Sequence, residues 1–144
     1  MSGRRFALHV AAAVGAAFCL PAFSQVDLLP AAEAFQIRRA VRQGDWIDVE
    51  LWAAPGYAVY AERVRFQTDS GAVTVASVEL PTGVSKWDQA LGERLTYLRG
   101  TVHLRVQLAG PAPAARLTVV VQGCADAGVC YPPVARTFDV GRLS

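Results

Sequence analysis

Hydrophobic and polar residues alternate along much of the chain from Ala31 onward, which is the period of a half-buried β-strand. The segment 46–52 (WIDVELW) is the clearest case, because Ile47, Val49 and Leu51 share one face and the residues between them share the other. Eight short strands without a long amphipathic helix favour an all-β fold, a β-sandwich. Besides 46–52, the predicted strands are 34–39, 64–68, 73–80, 96–98, 102–108, 117–122 and 137–140.

The segment 81–94 follows neither the strand period nor the helix period, and it is predicted to be a long loop with Pro81, Gly83 and Gly92. Loops of this length are uncommon unless they have a function. The alternative interpretation is a surface loop whose Trp87 packs into the core. A second loop, 109–115 (AGPAPAA), is predicted between two strands.

The first 24 residues have the three parts of a secretory signal: a basic start, an apolar stretch at 6–20, and small residues before a cleavage site expected near Ser24. Lipidation at Cys19 is disfavoured by the bulky Phe18 before it. A retained membrane anchor is disfavoured because the apolar stretch is too short to span a bilayer. We therefore expect a cleaved signal peptide (1–24) and one exported periplasmic domain (25–144).

Cleavage would remove Cys19, His9 and two of the 14 basic residues but none of the 12 acidic ones, leaving two cysteines, one histidine and no formal net charge. A chain without a basic surplus is not expected to bind nucleic acid. A tetrahedral zinc site needs four ligands, more than these residues supply. His103 lies in a predicted strand and is interpreted as a strand residue. No haem, phosphate-loop or serine-nucleophile motif is present, so neither metal nor cofactor is expected.

The two remaining cysteines lie in the run 123–133 (GCADAGVCYPP). Strand 117–122 leads into Cys124, and Cys130 leads towards strand 137–140, which predicts a hairpin with one cysteine on each arm. Facing residues of such a hairpin are close enough for a disulfide. The closed ring is small, so it would restrict the unfolded chain less than the long loops that structural disulfides bridge.

The residues between the cysteines favour redox chemistry. Ala125, Ala127 and Gly128 are small and leave the sulfurs open to another protein, as thiol–disulfide exchange requires. A passive structural disulfide remains the alternative. Asp126 places a negative charge beside the pair, and no neighbouring residue in the sequence supplies a positive one. We therefore hypothesise a slow reductant in isolation that becomes reactive when docked to a partner.

The segment 122–133 (QGCADAGVCYPP) resembles the active-site segment of the amino-terminal periplasmic domain of the thiol:disulfide interchange protein DsbD. Similar residues occur at 56–60 (GYAVY), at 80–83 (LPTG), and at Asp88, Gly92 and Tyr97. The likeness covers nearly the whole chain after the signal segment. It implies an immunoglobulin-like sandwich in which 81–94 contains a cap loop over the disulfide.

The resemblance also implies roles for individual residues. Cys130 would form mixed disulfides with partners, and Cys124 would resolve them. The family has an aromatic pair before the cap glycine where this chain has Ala90 and Leu91. Either the sulfurs are expected to be less shielded, or Leu91 or Trp87 is expected to take the shielding role. The aromatic and acidic neighbours implied for the pair are Tyr60, Tyr131, Asp126 and Asp88.

The full family protein continues into a membrane domain and a thioredoxin-like domain, whereas this sequence ends at Ser144. We therefore expect a thioredoxin-like or membrane electron donor acting in trans. The expected acceptor is a periplasmic disulfide isomerase or a cytochrome c maturation thioredoxin. The alternative function is a non-enzymatic binding module with a structural hairpin disulfide, whose cap loop grips a partner or a peptide.

Overall fold

The computed structural model describes residues 27–110 and 116–141. The predicted signal peptide with Cys19 lies outside them, as does most of the predicted loop 109–115. No helix in these ranges is long and apolar enough to cross a membrane. The elements are α1 (Ala31–Ala34), β1 (Phe35–Gln43), β2 (Trp46–Ala53), β3 (Tyr57–Tyr60), a 3-10 turn (Ala61–Arg63), β4 (Arg65–Thr68), β5 (Thr74–Glu79), β6 (Val84–Asp88), β7 (Glu93–Leu98), β8 (Gly100–Ala109), β9 (Arg116–Val121), β10 (Gly123–Ala125) and β11 (Val134–Asp139).

The strands form three antiparallel sheets, with strand orders β1-β2-β8-β5, β10-β3-β7-β6 and β11-β9-β4. Strands β9 and β10 are separated only by Gln122, whose carbonyl accepts a hydrogen bond of 3.0 Å from the backbone of Tyr60. The chain therefore passes directly from the third sheet into the second. As a result, Cys124 in β10 pairs with β3.

The core lies between the first sheet and the other two. Ile47, Val49 and Leu51 of β2 are buried, as their alternation predicts. They belong to one apolar cluster with side chains from β8 and from the two other sheets, including Val102, Leu104, Val106, Leu117, Val119, Val121 and Val59. Burial of such side chains from both layers provides the main driving force for folding. The predicted β-sandwich is confirmed.

Each of the eight predicted strands overlaps a strand of the structure, but three strands were missed. Strand β3 is buried at all four positions, so it shows no alternation. Tyr57 and Val59 belong to the main core, whereas Tyr60 packs with Leu95 and Cys124 in a second, smaller cluster. Strand β10 has only three residues, too few to give a period. The third missed strand is β6.

The predicted loop 81–94 is instead mostly a β-hairpin. Strand β6 pairs with β7 from Val84↔Tyr97 to Asp88↔Glu93, and the connecting turn ends at Gly92 with a φ of 68°. Because β6 is an edge strand and exposes all its residues except Asp88, its sequence carries no alternation. Trp87 is 58% exposed, so the interpretation that it packs into the core is wrong.

Candidate active site

Cys124 and Cys130 form a disulfide, with their Cα atoms 4.0 Å apart. Below them β9 and β11 pair in antiparallel register, and the two cysteines face each other as an isolated bridge beyond the last pair, Val121↔Val134. The predicted hairpin with one cysteine on each arm is confirmed. The disulfide therefore lies at the loop end of that hairpin, across the segment that connects β9 to β11.

Backbone hydrogen bonds hold the loop between the cysteines. The amide of Ala125 donates to Val129 O at 2.8 Å, and the amide of Gly128 donates to Ala125 O at 2.9 Å. Gly128 has a φ of 85°, a conformation that glycine adopts without strain. The amide of Tyr131 donates to Gly123 O at 3.1 Å. These bonds give the two sulfurs a defined position relative to β3.

Gly123 allows β10 to approach β3 closely. A Cβ atom at this position would lie 2.1 Å from the carbonyl oxygen of Ala58 and 2.6 Å from Cε1 of Phe35. Because glycine lacks that atom, Cys124 pairs directly with Ala58 and packs in the small cluster with Tyr60 and Leu95. The resulting burial is asymmetric: Cys124 is 7% exposed, whereas Cys130 falls among the exposed residues.

A cavity of about 370 Å³ opens beside the disulfide. The cap hairpin, β6 and β7 with their connecting turn, supplies one wall, and the loop between the cysteines supplies another. Among the residues proposed for the cap, Trp87 lines this cavity and Leu91 does not. Its lining residues are Tyr60, Lys86, Trp87, Asp88, Gln89, Ala90, Tyr97, Cys124, Ala125, Asp126, Gly128 and Cys130.

Asp88 is the buried carboxylate of the cavity, 7% exposed. Its Oδ2 accepts hydrogen bonds from the hydroxyls of Tyr60, at 2.7 Å, and Tyr97. Its Oδ1 accepts from the amides of Ala90 and Leu91, each at 2.9 Å. The bond from Tyr97 is the main reason why the pKa of Asp88 falls from 3.8 to about 2. Asp88 thus ties the cap turn to the tyrosines beneath it.

The two tyrosines remain protonated. Burial, followed by the hydrogen bond to Asp88, raises the pKa of Tyr60 well above its usual value, and the same two causes raise the pKa of Tyr97. The two rings meet edge to face, with centroids 5.0 Å apart. Both tyrosines donate hydrogen bonds to Asp88, and both line the cavity.

Positive charges do lie near Asp126, but they come from residues distant in sequence. Arg99 donates two hydrogen bonds to the carboxylate of Asp126, and the Nζ atom of Lys86 lies 4.0 Å from the ring centroid of Tyr97 in the same cavity. The hydrogen bond with Arg99 is the main reason why the pKa of Asp126 is lowered. Lys86 comes from β6 and Arg99 from the junction between β7 and β8, which only the tertiary structure brings to the loop.

Tyr131 lies apart from the other candidate residues. Its ring packs edge to face on Phe35, with centroids 5.4 Å apart, and its hydroxyl donates to Leu29 O at 2.9 Å. Tyr57 also holds this segment, because its hydroxyl accepts from the amide of Leu29 at 2.8 Å. Although Tyr131 follows Cys130, its side chain binds the segment before α1, at Leu29, and does not line the cavity.

Lys86 and Arg99 were missed as site residues. Tyr97 was named only as a residue similar to the family, without a role; it stands directly opposite Tyr60 across β3 and β7. No sequence signal distinguishes Arg99 from the other arginines of the chain. His103 is exposed on β8. Within residues 27–110 and 116–141, no group of three or more His, Cys, Asp or Glu side chains could hold a metal ion.

Residues 25–142 match the family described as "Thiol:disulfide interchange protein DsbD, N-terminal". The chain is 37% identical over 125 residues to a thiol:disulfide interchange protein DsbD of Ralstonia nicotianae, an alignment that covers 87% of this chain and 21% of that protein. It is 35% identical over 126 residues to the protein of that name from Escherichia coli, covering 88% and 21%. The chain thus spans about a fifth of the length of these relatives.

Two solved structures from Neisseria meningitidis are similar. One is a DsbD N-terminal domain in the reduced form, with a TM-score of 0.70 and 29% identity, covering 82% of this chain and 93% of that one. The other is the complex between the DsbD N-terminal and the PilB N-terminal domains, with a TM-score of 0.65 and 29% identity, covering 78% and 87%. The immunoglobulin-like sandwich that the resemblance implied is confirmed.

Proposed function

Since the chain belongs to the family of amino-terminal domains of the thiol:disulfide interchange protein DsbD, we propose that it is an electron-transfer domain that reduces oxidised partner proteins. The reduced Cys124 and Cys130 pair would deliver two electrons to the disulfide of a partner. A dithiol donor would then reduce the pair again. In this proposal the domain acts as a protein-disulfide reductase within a relay.

The observation that supports this proposal best is the asymmetric burial of the pair. Cys130 is exposed at the mouth of the cavity, whereas Cys124 is 7% exposed and packs against Tyr60 and Leu95. Exchange requires access to the attacking sulfur and a second thiol within reach. This arrangement therefore suits Cys130 for contact with the partner and Cys124 for resolving the mixed disulfide.

The proposed reaction has two exchange steps. The thiolate of Cys130 attacks one sulfur of the partner's disulfide, that S–S bond breaks, and the other partner sulfur leaves as a thiolate that takes up a proton. The thiolate of Cys124 then attacks Cys130, forming the Cys124–Cys130 disulfide and releasing the second partner thiol. In total, two electrons and two protons pass to the partner.

The partners are proposed from the family. A DsbD N-terminal domain from Neisseria meningitidis forms a complex with the PilB N-terminal domain, so domains of this kind bind another protein. For this chain we propose a thioredoxin-like or membrane-bound electron donor. The proposed acceptors are a periplasmic disulfide isomerase and a cytochrome c maturation thioredoxin. The secretory signal predicted in residues 1–24 supports location in the periplasm.

Trapping with cysteine variants tests the function. Reduced Cys124→Ala retains the exposed Cys130 but cannot resolve a mixed disulfide, so in periplasmic extract it should accumulate disulfide-linked partners. These can be separated under non-reducing conditions and identified by mass spectrometry. The matched control is Cys130→Ala, which keeps only the buried Cys124 and should trap about tenfold less, because exchange depends on access.

The same experiment separates the electron-transfer proposal from a binding module with a structural disulfide. In the second case neither variant would trap a partner. Both would bind it non-covalently and lose only the stability that the disulfide supplies. Equal trapping by both variants would contradict the assignment of Cys130 as the exchanging cysteine.

A further inference from the structure

We propose that Arg99 is a positioning residue for the exchange reaction: its ion pair with Asp126 prevents the loop between the cysteines from repelling the thiolates. The inference rests on the proposed function, because it concerns the same dithiol. It assigns a role to a residue that does not line the cavity beside the disulfide.

The geometry of the pair is well suited to this role. Arg99 donates through Nη2 to Asp126 Oδ1 at 2.6 Å and through Nη1 to Oδ2 at 3.1 Å, which makes the interaction bidentate. The same Nη1 donates to Tyr57 O at 3.2 Å. The amide of Asp126 donates to Gly56 O at 2.7 Å. Asp126 is therefore fixed to the turn before β3, and Arg99 to the first residue of β3, by bonds that do not involve the sulfurs.

The other charged and titratable groups around the dithiol leave Asp126 as the decisive one. The negative charge of Asp88, on β6, is already shared among four hydrogen bonds. Tyr60 on β3 and Tyr97 on β7 are neutral hydrogen-bond donors. Lys86 on β6 is a cation whose charge contributes to the lowered pKa of Asp126. Without Arg99, the carboxylate of Asp126 would be held near the sulfurs with only Lys86 to offset its charge.

The size of the effect follows from simple electrostatics. Asp126 lies two residues after Cys124, and both the Arg99 and Asp126 side chains are partly exposed, at 41% and 54%. Solvent therefore screens the interaction, and loss of the Arg99 charge should raise the thiol pKa by about 0.5 to 1 unit. Intrinsic nucleophilicity rises with thiol pKa, so the exchange rate below that pKa should fall only about two- to fourfold.

The inference is tested by alkylation of the reduced protein with iodoacetamide across about pH 6 to 11. The ionic strength is held constant so that screening of the charges does not change with pH. Peptide mass spectrometry would follow Cys124 and Cys130 separately. Arg99→Gln should raise the thiol pKa, Asp126→Asn should lower it, and the double variant should return it close to the value of the unmodified protein. The matched control is Arg39→Gln, whose arginine pairs with Glu50 on the far sheet and which should leave the pKa unchanged.

The shape of the pH profile distinguishes this role from a purely structural one. With Arg99→Gln, alkylation should be slower below the thiol pKa, because less thiolate is present. Above the thiol pKa it should be as fast or faster, because the thiolate of a thiol with a higher pKa is more nucleophilic. A rate lowered by one constant factor at every pH would overturn the inference. So would a thiol pKa that is the same in Asp126→Asn as in the unmodified protein, a variant that does not depend on the folding of Arg99→Gln.

Alkylation needs no partner protein, so its result is independent of the proposed function. Shifted thiol pKa values together with failed trapping by Cys124→Ala would contradict the proposed function alone. Successful trapping together with unshifted pKa values would contradict the role of Arg99 alone.

Discussion

The hydroxyl of Tyr60 donates a hydrogen bond of 2.7 Å to the buried carboxylate of Asp88, linking β3 beneath the disulfide to the cap hairpin beside it. Tyr60 also packs with Cys124, while the other oxygen of Asp88 accepts from the cap-turn amides of Ala90 and Leu91. The carboxylate of Asp88 therefore connects Tyr60, which packs on Cys124, to the turn of the cap hairpin. Displacement of that turn requires breaking bonds to a charged acceptor.

Replacement of Asp88 by asparagine should destabilise the domain. The amide group cannot accept the hydrogen bonds from both tyrosine hydroxyls and both backbone amides. Leaving buried polar groups without partners should lower the free energy of unfolding by about 2 to 3 kcal/mol, measured by urea denaturation of the oxidised protein. The matched control is Asp139→Asn. That carboxylate is 91% exposed in its ion pair with Arg116, and its replacement should change the free energy by less than about 0.5 kcal/mol.

The stabilisation from Asp88 should depend on pH. Its folded pKa, about 2, lies below its ordinary value of 3.8, so the stabilisation is present above pH 4 and is lost as the pH falls towards 2. The difference in unfolding free energy between the unmodified protein and Asp88→Asn should shrink by about 1 to 2 kcal/mol over that interval. Glu62 and Asp126 also have lowered pKa values, but they titrate in both proteins and cancel in the difference. A difference that stays constant from pH 5 to 2 would contradict the bonding assigned to Asp88.

The sequence predicted strands in which hydrophobic and polar residues alternate. Strand β2 buries Ile47, Val49 and Leu51 on one face only, so its alternation is visible. Strand β3 is buried on both faces and β6 is exposed on nearly every residue, so neither alternates and both were missed. The hairpin at the cysteines could be predicted because flanking strands and short spacing are local features.

The charges of the site were harder to predict, since they depend on contacts between residues distant in sequence. Asp126 could be assigned a negative charge beside the thiols from its position alone. The compensation by Arg99 could not be predicted, because the two residues are 27 positions apart in sequence and the contact depends on where β7 meets β8. Likewise, the family resemblance implied that Tyr131 is an aromatic neighbour of the cysteines, but its side chain packs on Phe35.

Trp87, rather than Leu91, should be the side chain that shields the disulfide. Trp87 lines the cavity with both cysteines, whereas Leu91 lies in the cap turn outside the lining. Because reduction depends on access to the sulfur, Trp87→Ala should speed reduction of the disulfide by dithiothreitol about threefold or more. Leu91→Ala is the matched control, as an exposed apolar residue of the same hairpin, and should change the rate by less than about twofold. A larger effect from Leu91→Ala would assign the shielding role to Leu91.

The close approach of β10 to β3 should make Gly123 intolerant of any side chain. An alanine Cβ would lie 2.1 Å from the backbone oxygen of Ala58, which cannot move without disrupting the pairing that positions Cys124. Overpacking of this kind should lower the free energy of unfolding by about 2 to 3 kcal/mol in urea denaturation.

The same clash should expose the buried cysteine, so in reduced Gly123→Ala the alkylation of Cys124 should become faster relative to that of Cys130. The matched control is Gly71→Ala. Nothing lies within 4 Å of the added atom there, and its backbone does not have the positive φ that disfavours a side chain. Its unfolding free energy should stay within about 0.5 kcal/mol of that of the unmodified protein. Equal stability of the two variants would show that β10 can move away from β3 at little cost, and the burial of Cys124 would then not depend on Gly123.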